Sequence, residues 1–243
     1  MEVINDLLGY KNLKIIQNTD WFCFSIDSVL LARLSTINKN TKKIVDFCTG
    51  NIPVPLILFT RCNSHNTEIF GIEIQKEIYE LACKTIKLNK LENKIKIINQ
   101  NIINSNTIFT NEDVDLVTCN PPYFKYIKSS NINENSIKSI ARHEIEVNLE
   151  NVVISAKKIL KNKGRLAIIH ASHRISDLIV LLEKYNFGIK RIINIYPKKS
   201  SKIAEIVFVE ATKNTNANVV VEKPIYIHDE NGNYSKEILN YFT

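Results

Sequence analysis

KIVDFCTGNIPVPLILFTR, residues 43–61, sets a short apolar run, a turn and a second apolar run in direct succession. KIVDFC (43–48) has the length and β-branched content of a buried strand. PVPLILFTR (53–61) opens with prolines placed for the first turn of a helix, where their missing N–H groups have no intrahelical partner. The same unit recurs downstream. EIFGIE (68–73) precedes QKEIYELACKTIKLNK (75–90), whose Ile78, Leu81, Ala82, Thr85, Ile86 and Leu88 keep one face mostly apolar. KIKII (94–98) is a third strand. VDLVTC (114–119) is a fourth, and it halts at a proline pair that neither a central strand nor a helix would continue through. Strands alternating with crossover helices predict a mostly parallel, doubly wound α/β sheet.

Working outward, LENVVISAKKILKNKG (149–164) is predicted as a helix stopped at Gly164. GRLAIIHA (164–171) is predicted as a fifth strand and HRISDLIVLLEKYN (173–186) as its helix. FGIKRIINIYP and KIAEIVFVEA follow as two more strands joined at KKSS (198–201), with no helix between them. That ending separates the sheet from a dinucleotide-binding Rossmann sheet and suits the seven-stranded sheet of a methyltransferase. Residues 125–140, KYIKSSNINENSIKSI, are polar and turn-rich and are expected to form a mobile loop. Residues 1–40 are expected as an N-terminal extension on the cofactor side, with a strand or hairpin around LKIIQ (13–17) and an amphipathic helix, IDSVLLARL (26–34). Residues 41–243 form the main domain. Its tail from 217 adds one strand (KPIYIHD) and a short helix (SKEILNYF).

Composition narrows the partners. The 243 residues are 44% hydrophobic and 23% charged, enough to bury a core and unlike a disordered, collagenous or disulfide-built chain. Lys plus Arg number 32 against 25 Asp plus Glu, a net charge of +7 that favours an anionic partner, with nucleic acid foremost. Cys23, Cys48, Cys62, Cys83 and Cys119 stand singly without a Cys-x-x-Cys pair, which reads as reduced usage with no metal site. The acidic N-terminus and the lack of an apolar run near the ~20 residues needed to span a bilayer point to a cytoplasmic protein with no membrane partner.

The turn VDFCTGN (45–51) sits where open α/β sheets place their ligands, beyond the carboxyl ends of the strands. Asp46, Cys48, Thr49, Gly50 and Asn51 are its candidate cofactor contacts. Gly50 is its single glycine; Cys48 and Ile52 occupy places where a glycine-rich cofactor loop has glycines. Pro53 and Pro55 remove two of the N–H donors a pyrophosphate would use, so a dinucleotide is disfavoured and S-adenosylmethionine fits. Glu73, with Ile74 beside it, ends the second strand 27 positions after Asp46, where a carboxylate can accept from both ribose hydroxyls. Asn101, just past the third strand, is the candidate for the cofactor adenine.

Asn120-Pro121-Pro122-Tyr123, followed by Phe124, carries the sharpest chemistry. An exocyclic amine such as adenine N6 is a poor nucleophile because its lone pair is delocalised into the ring. The Asn120 side-chain oxygen and the Pro121 carbonyl, held by the rigid proline pair, can each accept one N–H of that amine and favour a pyramidal nitrogen. Charge developing on the nitrogen strengthens both bonds in the transition state. Tyr123 offers a face on which an extruded base stacks, worth about 1 to 3 kcal/mol. Asn120 also borders the cofactor.

These stretches, CNPPYF (119–124), FCFSIDSVLLARL (22–34), DFCTGNIPVPLIL (46–58) and ARHE (141–144), together resemble the bacterial tRNA1(Val) adenine-N6 methyltransferases over nearly the whole chain. The resemblance implies transfer of a methyl group from S-adenosylmethionine to the adenine just 3′ of the anticodon, adenine 37. It also implies that Phe24 and Asp27 line or lid the cofactor pocket, and that Arg142 meets phosphate while His143 stacks near the target nucleotide. Phe124, Lys125, Lys128, Arg174 with His173, Lys198, Lys199 and Lys202 are the expected RNA-tracking surface for the anticodon arm. Three rivals remain: a glutamine methyltransferase acting on a release factor, which shares the Asn-Pro-Pro-Tyr acceptor pair; a DNA adenine methyltransferase; and a non-catalytic RNA-binding module.

Overall fold

The computed structural model describes residues 1–10, 12–21, 24–62, 66–110, 112–121 and 148–242. The loop expected over 125–140, together with Pro122, Tyr123, Phe124, Lys125, Lys128, Arg142 and His143, lies outside those residues. The chain opens with an antiparallel hairpin, β1 (Glu2–Asp6) and β2 (Lys14–Asn18), and a helix, α1 (Ile26–Leu34). The alternating core follows as β3 (Lys43–Phe47), α2 (Pro53–Arg61), β4 (Glu68–Glu73), α3 (Lys76–Leu88) and β5 (Ile95–Asn99). A 3-10 turn (Ile102–Thr107) leads to β6 (Val114–Cys119), and then come α4 (Leu149–Ile159), β7 (Leu160–Ala171) and α5 (Ile175–Lys184). The closing elements are β8 (Phe187–Lys198), β9 (Ile206–Lys213), β10 (Val220–Val221), β11 (Ile225–His228) and α6 (Lys236–Asn240).

The sheet runs β5-β4-β3-β6-β7-β9-β8, with β10 and β11 both laid along the outer edge of β8. Neighbouring pairs from β5 to β7 are parallel, whereas β9 is antiparallel to both β7 and β8. The tight turn after β8, closed by the Ser201 N–H on the Lys198 carbonyl at 3.1 Å, returns the chain directly and makes that antiparallel insertion unavoidable. The chain winds outward from β3 through β4 to β5, then resumes on the other side at β6. The topological switch therefore falls between β3 and β6, which are paired up to Phe47↔Cys119, and a crevice opens beyond their carboxyl ends.

One sheet face packs against the hairpin, α1, α2, α3 and α6, the other against α4 and α5. β9 is buried along its whole length, so its polar residues require partners. Glu210 accepts from the Thr36 N–H and hydroxyl, both at 2.8 Å. Lys213 donates to the Lys157 and Leu160 carbonyls at 2.7 and 2.8 Å, closing the C-terminal end of α4.

Three expectations need correction. α1 is not amphipathic: Asp27 through Ala32 are all buried, because α2 covers one side and the sheet the other. The helix starting at 149 ends at Ile159, and Gly164 lies inside β7. Lys163, with φ +64°, takes the left-handed position, and the register shift against β6 lets the intervening residues bulge out while Lys161 pairs with Asp115 at 2.6 Å. The tail contributes two short strands where one was expected, and both pair in parallel with β8.

Candidate active site

A cleft opens at the carboxyl ends of β3, β4, β5 and β6. Its walls include Phe24, Asp46, Cys48, Thr49, Gly50, Asn51, Glu73, Ile74 and Asn120, which the crossing of the strands brings together from distant parts of the chain.

Asp46, at the end of β3, is 1% exposed and accepts from the Thr49 hydroxyl at 2.7 Å and the Thr118 hydroxyl at 2.6 Å. Removal from water pushes its carboxyl up to about 7. The two hydroxyls oppose that shift, and the nearby Glu73 adds to it. Glu73, 5% exposed, uses one oxygen on the Gly50 N–H and the other on the Gln75 N–H, both at 2.9 Å. Burial still raises its pKa, against the pull of those N–H groups. The turn between β3 and α2 is thus tied to β4 through Gly50 and Glu73. It can sit this close because Gly71 has no side chain: a Cβ there would lie 2.8 Å from the Thr49 side chain.

The turn follows the path of a glycine-rich loop with few glycines. Cys48, Gly50 and Ile52 all hold left-handed backbone, at φ +54°, +58° and +66°. Glycine takes this conformation at no steric penalty, whereas a β-branched residue there is a genuine outlier. Ile52 is held in it by complete burial among the residues of α1, α2 and the sheet.

Three side-chain oxygens on the walls, Gln75 Oε1, Gln100 Oε1 and Asn120 Oδ1, are buried with no hydrogen-bond partner among the described residues. With the Asp46 and Glu73 carboxylates they make the lining a set of acceptors. Among the described residues no Lys, Arg or His lines the cleft. Such a site suits a ligand rich in N–H and O–H donors that carries positive charge. S-adenosylmethionine answers that description with its adenine amine, ribose hydroxyls, ammonium and sulfonium.

Some expected contacts are placed elsewhere. The Asn101 side chain caps the 3-10 turn, accepting from the Ile103 N–H at 3.0 Å, and does not line the cleft; Gln100, one residue earlier, does. Asp27 is buried in α1 outside the cleft lining. Arg174 is 7% exposed and pairs with Asp177 at 2.7 Å, so it is not a free surface cation. Lys198 is half-buried and donates to the Glu230 carbonyl at 3.3 Å, whereas Lys199, Lys202 and His173 are exposed. Gln75, Gln100, Asn18 and Trp21 are wall residues that sequence reasoning missed. The two glutamines could have been found as the first polar residues past the β4 and β5 ends. Asn18 and Trp21 reach the cleft through the folding back of the hairpin, for which the sequence carries no local signal.

Residues 25–178 match the N-6 DNA methylase family. The chain belongs to that family. A relative of this methylase, the tRNA1(Val) (adenine(37)-N6)-methyltransferase of Photobacterium profundum, is 23% identical over 88% of this chain and 87% of its own. The release factor glutamine methyltransferase of Flavobacterium psychrophilum is 24% identical over 67% of this chain and 57% of its own. Among solved structures, a predicted O-methyltransferase, protein Atu636 from Agrobacterium tumefaciens, superposes with a TM-score of 0.70 at 18% identity, covering 89% of this chain and 97% of that one. The methylase is an S-adenosylmethionine-dependent methyltransferase with a class I fold. No helix among its described residues is long and apolar enough to cross a membrane, and none of these residues group as three or more potential metal ligands.

Proposed function

We propose that this methylase transfers a methyl group to N6 of an adenine in tRNA, adenine 37 beside the anticodon of tRNA1(Val). The observation that carries the proposal is the buried, unpartnered Oδ1 of Asn120, set at the end of β6 on the wall of the cleft. S-adenosylmethionine, when bound, supplies an electrophilic methyl on a positively charged sulfur. The chain's part is to hold and activate the acceptor. Asn120 Oδ1 accepts one N–H of the amine and the Pro121 carbonyl the other. Because both are acceptors, they favour the state in which the nitrogen becomes positive. Fixed in place, they require little reorganisation as charge develops, and no general base is needed, since the methylated amine is acidic enough to lose its proton to water. Glu73 holds the turn over the cofactor site through Gly50. A loop adenine is the fitting target because unstacking a single-stranded base costs less than opening a duplex. The expected site division is an N-terminal extension over 1–40 that contributes Asn18, Trp21 and Phe24 to the wall, and a main domain over 41–243 that carries the acceptors. The exposed Lys199 and Lys202 belong to the proposed RNA-tracking rim.

Purified protein is incubated with labelled S-adenosylmethionine and, separately, with total tRNA, duplex DNA or a release factor, and the tRNA is then digested for nucleoside mass spectrometry. The expected product is N6-methyladenosine in tRNA, abolished by Asn120→Ala while cofactor binding persists. Label in the release factor alone would move the reading to glutamine methylation, which the Flavobacterium relative represents. Full activity of Asn120→Ala would remove the acceptor role.

A further inference from the structure

Two of the cysteines meet at the bottom of the cleft. Cys119 is the last residue of β6 and is fully buried; Cys48 is the first residue past β3 and lines the cleft, half-exposed. The strands are hydrogen-bonded neighbours in register at Phe47↔Cys119, which puts Cys48 one step beyond its neighbour's partner. A strand spacing of about 4.8 Å and a rise of about 3.3 Å then separate the two Cα atoms by about 6 Å, inside the range a disulfide spans. Both side chains fall on the same sheet face, Cys119 within the core cluster under α4 and α5 and Cys48 packed against that cluster. The two thiols interact directly, and that interaction adds to the rise of the Cys119 pKa. Cys62 and Cys83 occupy α2's C-terminal end and α3, away from this pair.

We propose that Cys48 and Cys119 form a thiol-oxidation site at the floor of the cleft, where a hydroperoxide converts the pair to a disulfide and so shuts out the cofactor. The sulfur of Cys48, the thiol that faces the cleft, attacks the peroxide O–O bond. A sulfur–oxygen bond forms, the O–O bond breaks, and the departing oxygen leaves as water or alcohol with the Cys48 proton. Cys119 then attacks the Cys48 sulfur. The S–S bond forms, the S–O bond breaks, and hydroxide leaves as water with the Cys119 proton. Two thiols are oxidised by one electron each, and one peroxide is reduced. The order follows from access: apolar burial raises the Cys119 pKa well above its ordinary value and leaves it an inert thiol until Cys48 brings an electrophilic sulfur into contact.

Closing this bond draws Cys48 onto the sheet. Cys48 stands in left-handed backbone at the head of the turn whose Thr49 holds Asp46 and whose Gly50 is held by Glu73. A crosslink at that residue displaces both ties. The expected consequence is at least a tenfold loss of S-adenosylmethionine affinity in the oxidised protein, recovered on reduction. The readout rests on the cofactor assignment above, but formation of the crosslink does not.

Full-length reduced protein is titrated with hydrogen peroxide, alkylated, digested and mapped by mass spectrometry, and S-adenosylmethionine binding is measured calorimetrically before oxidation, after it, and after dithiothreitol. The expected result is a Cys48–Cys119 peptide, a protein lighter by two hydrogens, and binding lost and regained in step with that peptide. In Cys119→Ala, Cys48 should proceed to sulfinic acid and binding should no longer return with dithiothreitol. Should that variant fail to fold, the wild-type peptide map alone decides. A crosslink of Cys48 to Cys23, sulfinic acid on Cys48 without a crosslink, or a Cys48–Cys119 bond that leaves affinity unchanged would each overturn the proposal. Reduced protein that forms the crosslink but binds no S-adenosylmethionine in either state would instead indict the cofactor assignment.

Discussion

Replacing Asp46 with Asn isolates the electrostatic strain stored under the cofactor turn. The carboxyl has a pKa of about 7 in the folded protein against an ordinary 3.8. Between those values the unfolded chain has released the proton and the native chain keeps it, so stability falls as pH rises. The slope is about 1.4 kcal/mol per pH unit. Below the ordinary value the favourable contribution is intact; above about 7 it is gone. A gap of about 3 units corresponds to about 4 kcal/mol by pH 8. Asn is nearly isosteric and neutral throughout. It keeps an acceptor for one of the two threonine hydroxyls and obliges the other to turn and accept from its amide, a rearrangement that costs about 1 kcal/mol. The net expectation at pH 8 is a gain of about 3 kcal/mol, or a melting temperature higher by roughly 6 to 12 °C for a chain of this size. At pH 5 most of the difference should vanish. Glu73, whose pKa is raised by burial in the same way, is present in both proteins, and the share it adds to the Asp46 shift is part of the difference measured. Cofactor binding should move the opposite way. A bound cation favours the ionised carboxylate, so wild-type affinity should climb with pH to about 7 and level off, while Asp46→Asn binds more weakly with no such climb. Thermal melts of the cofactor-free proteins at the two pH values, with calorimetric titrations alongside, make the measurement. An identical melting difference at pH 5 and pH 8 would refute the reasoning.

Ile52→Gly sets backbone strain against burial. Glycine relieves roughly 1 to 2 kcal/mol of left-handed strain, but removing a fully buried isoleucine costs about 3 to 5 kcal/mol. Denaturant unfolding should show a net loss of about 2 kcal/mol, and a stabilised variant would mean that the side chain packs less well than its burial implies. Gln100→Leu should weaken S-adenosylmethionine binding about five- to tenfold by removing a cleft acceptor, whereas Asn101→Ala should lower the melting temperature and leave affinity nearly intact. The reverse pattern in calorimetry would return the adenine contact to Asn101.

Much of the fold could be read from the chain because each core element carries its own boundary signal. α2 begins at the proline the sequence marks, and β6 stops at the residue before the Asn-Pro-Pro stretch. That Asp46, Glu73 and Asn120 share one cleft is legible for a geometric reason: in a parallel sheet, polar residues at the carboxyl ends of adjacent strands converge on one crevice. What escaped depended on tertiary detail. The apolar content of α1 reads as one face until α2 and the sheet are known to enclose it. Gly164 looks like a helix stop until Lys163 is found in the left-handed position. Asn101 and Gln100 differ by one residue, and the choice between them turns on where the 3-10 turn begins, since that decides which side chain becomes the cap and which faces the cleft. Arg174 reads as a surface cation because Asp177, three residues on, gives no sign in sequence of being its ion-pair partner.

The cleft and the chain as a whole carry opposite electrostatic characters, and the proposed reaction uses both. The chain as a whole is +7, which draws a polyanion. Its cofactor site nevertheless holds two buried carboxyl groups with no cationic side chain among the described wall residues. Phosphate-bearing ligands attracted by the surface therefore meet no cationic side chain among the described wall residues, and Pro53 and Pro55 remove two N–H donors at the start of α2. A cation bound there would meet the two carboxyls that burial makes costly to ionise, and its charge would relieve that penalty. Methyl transfer would remove that charge from the ligand. S-adenosylhomocysteine, which lacks the charge, should therefore bind more weakly than S-adenosylmethionine by the share that Asp46 and Glu73 contribute through charge. The same two acids would then favour entry of the charged ligand and exit of its neutral product.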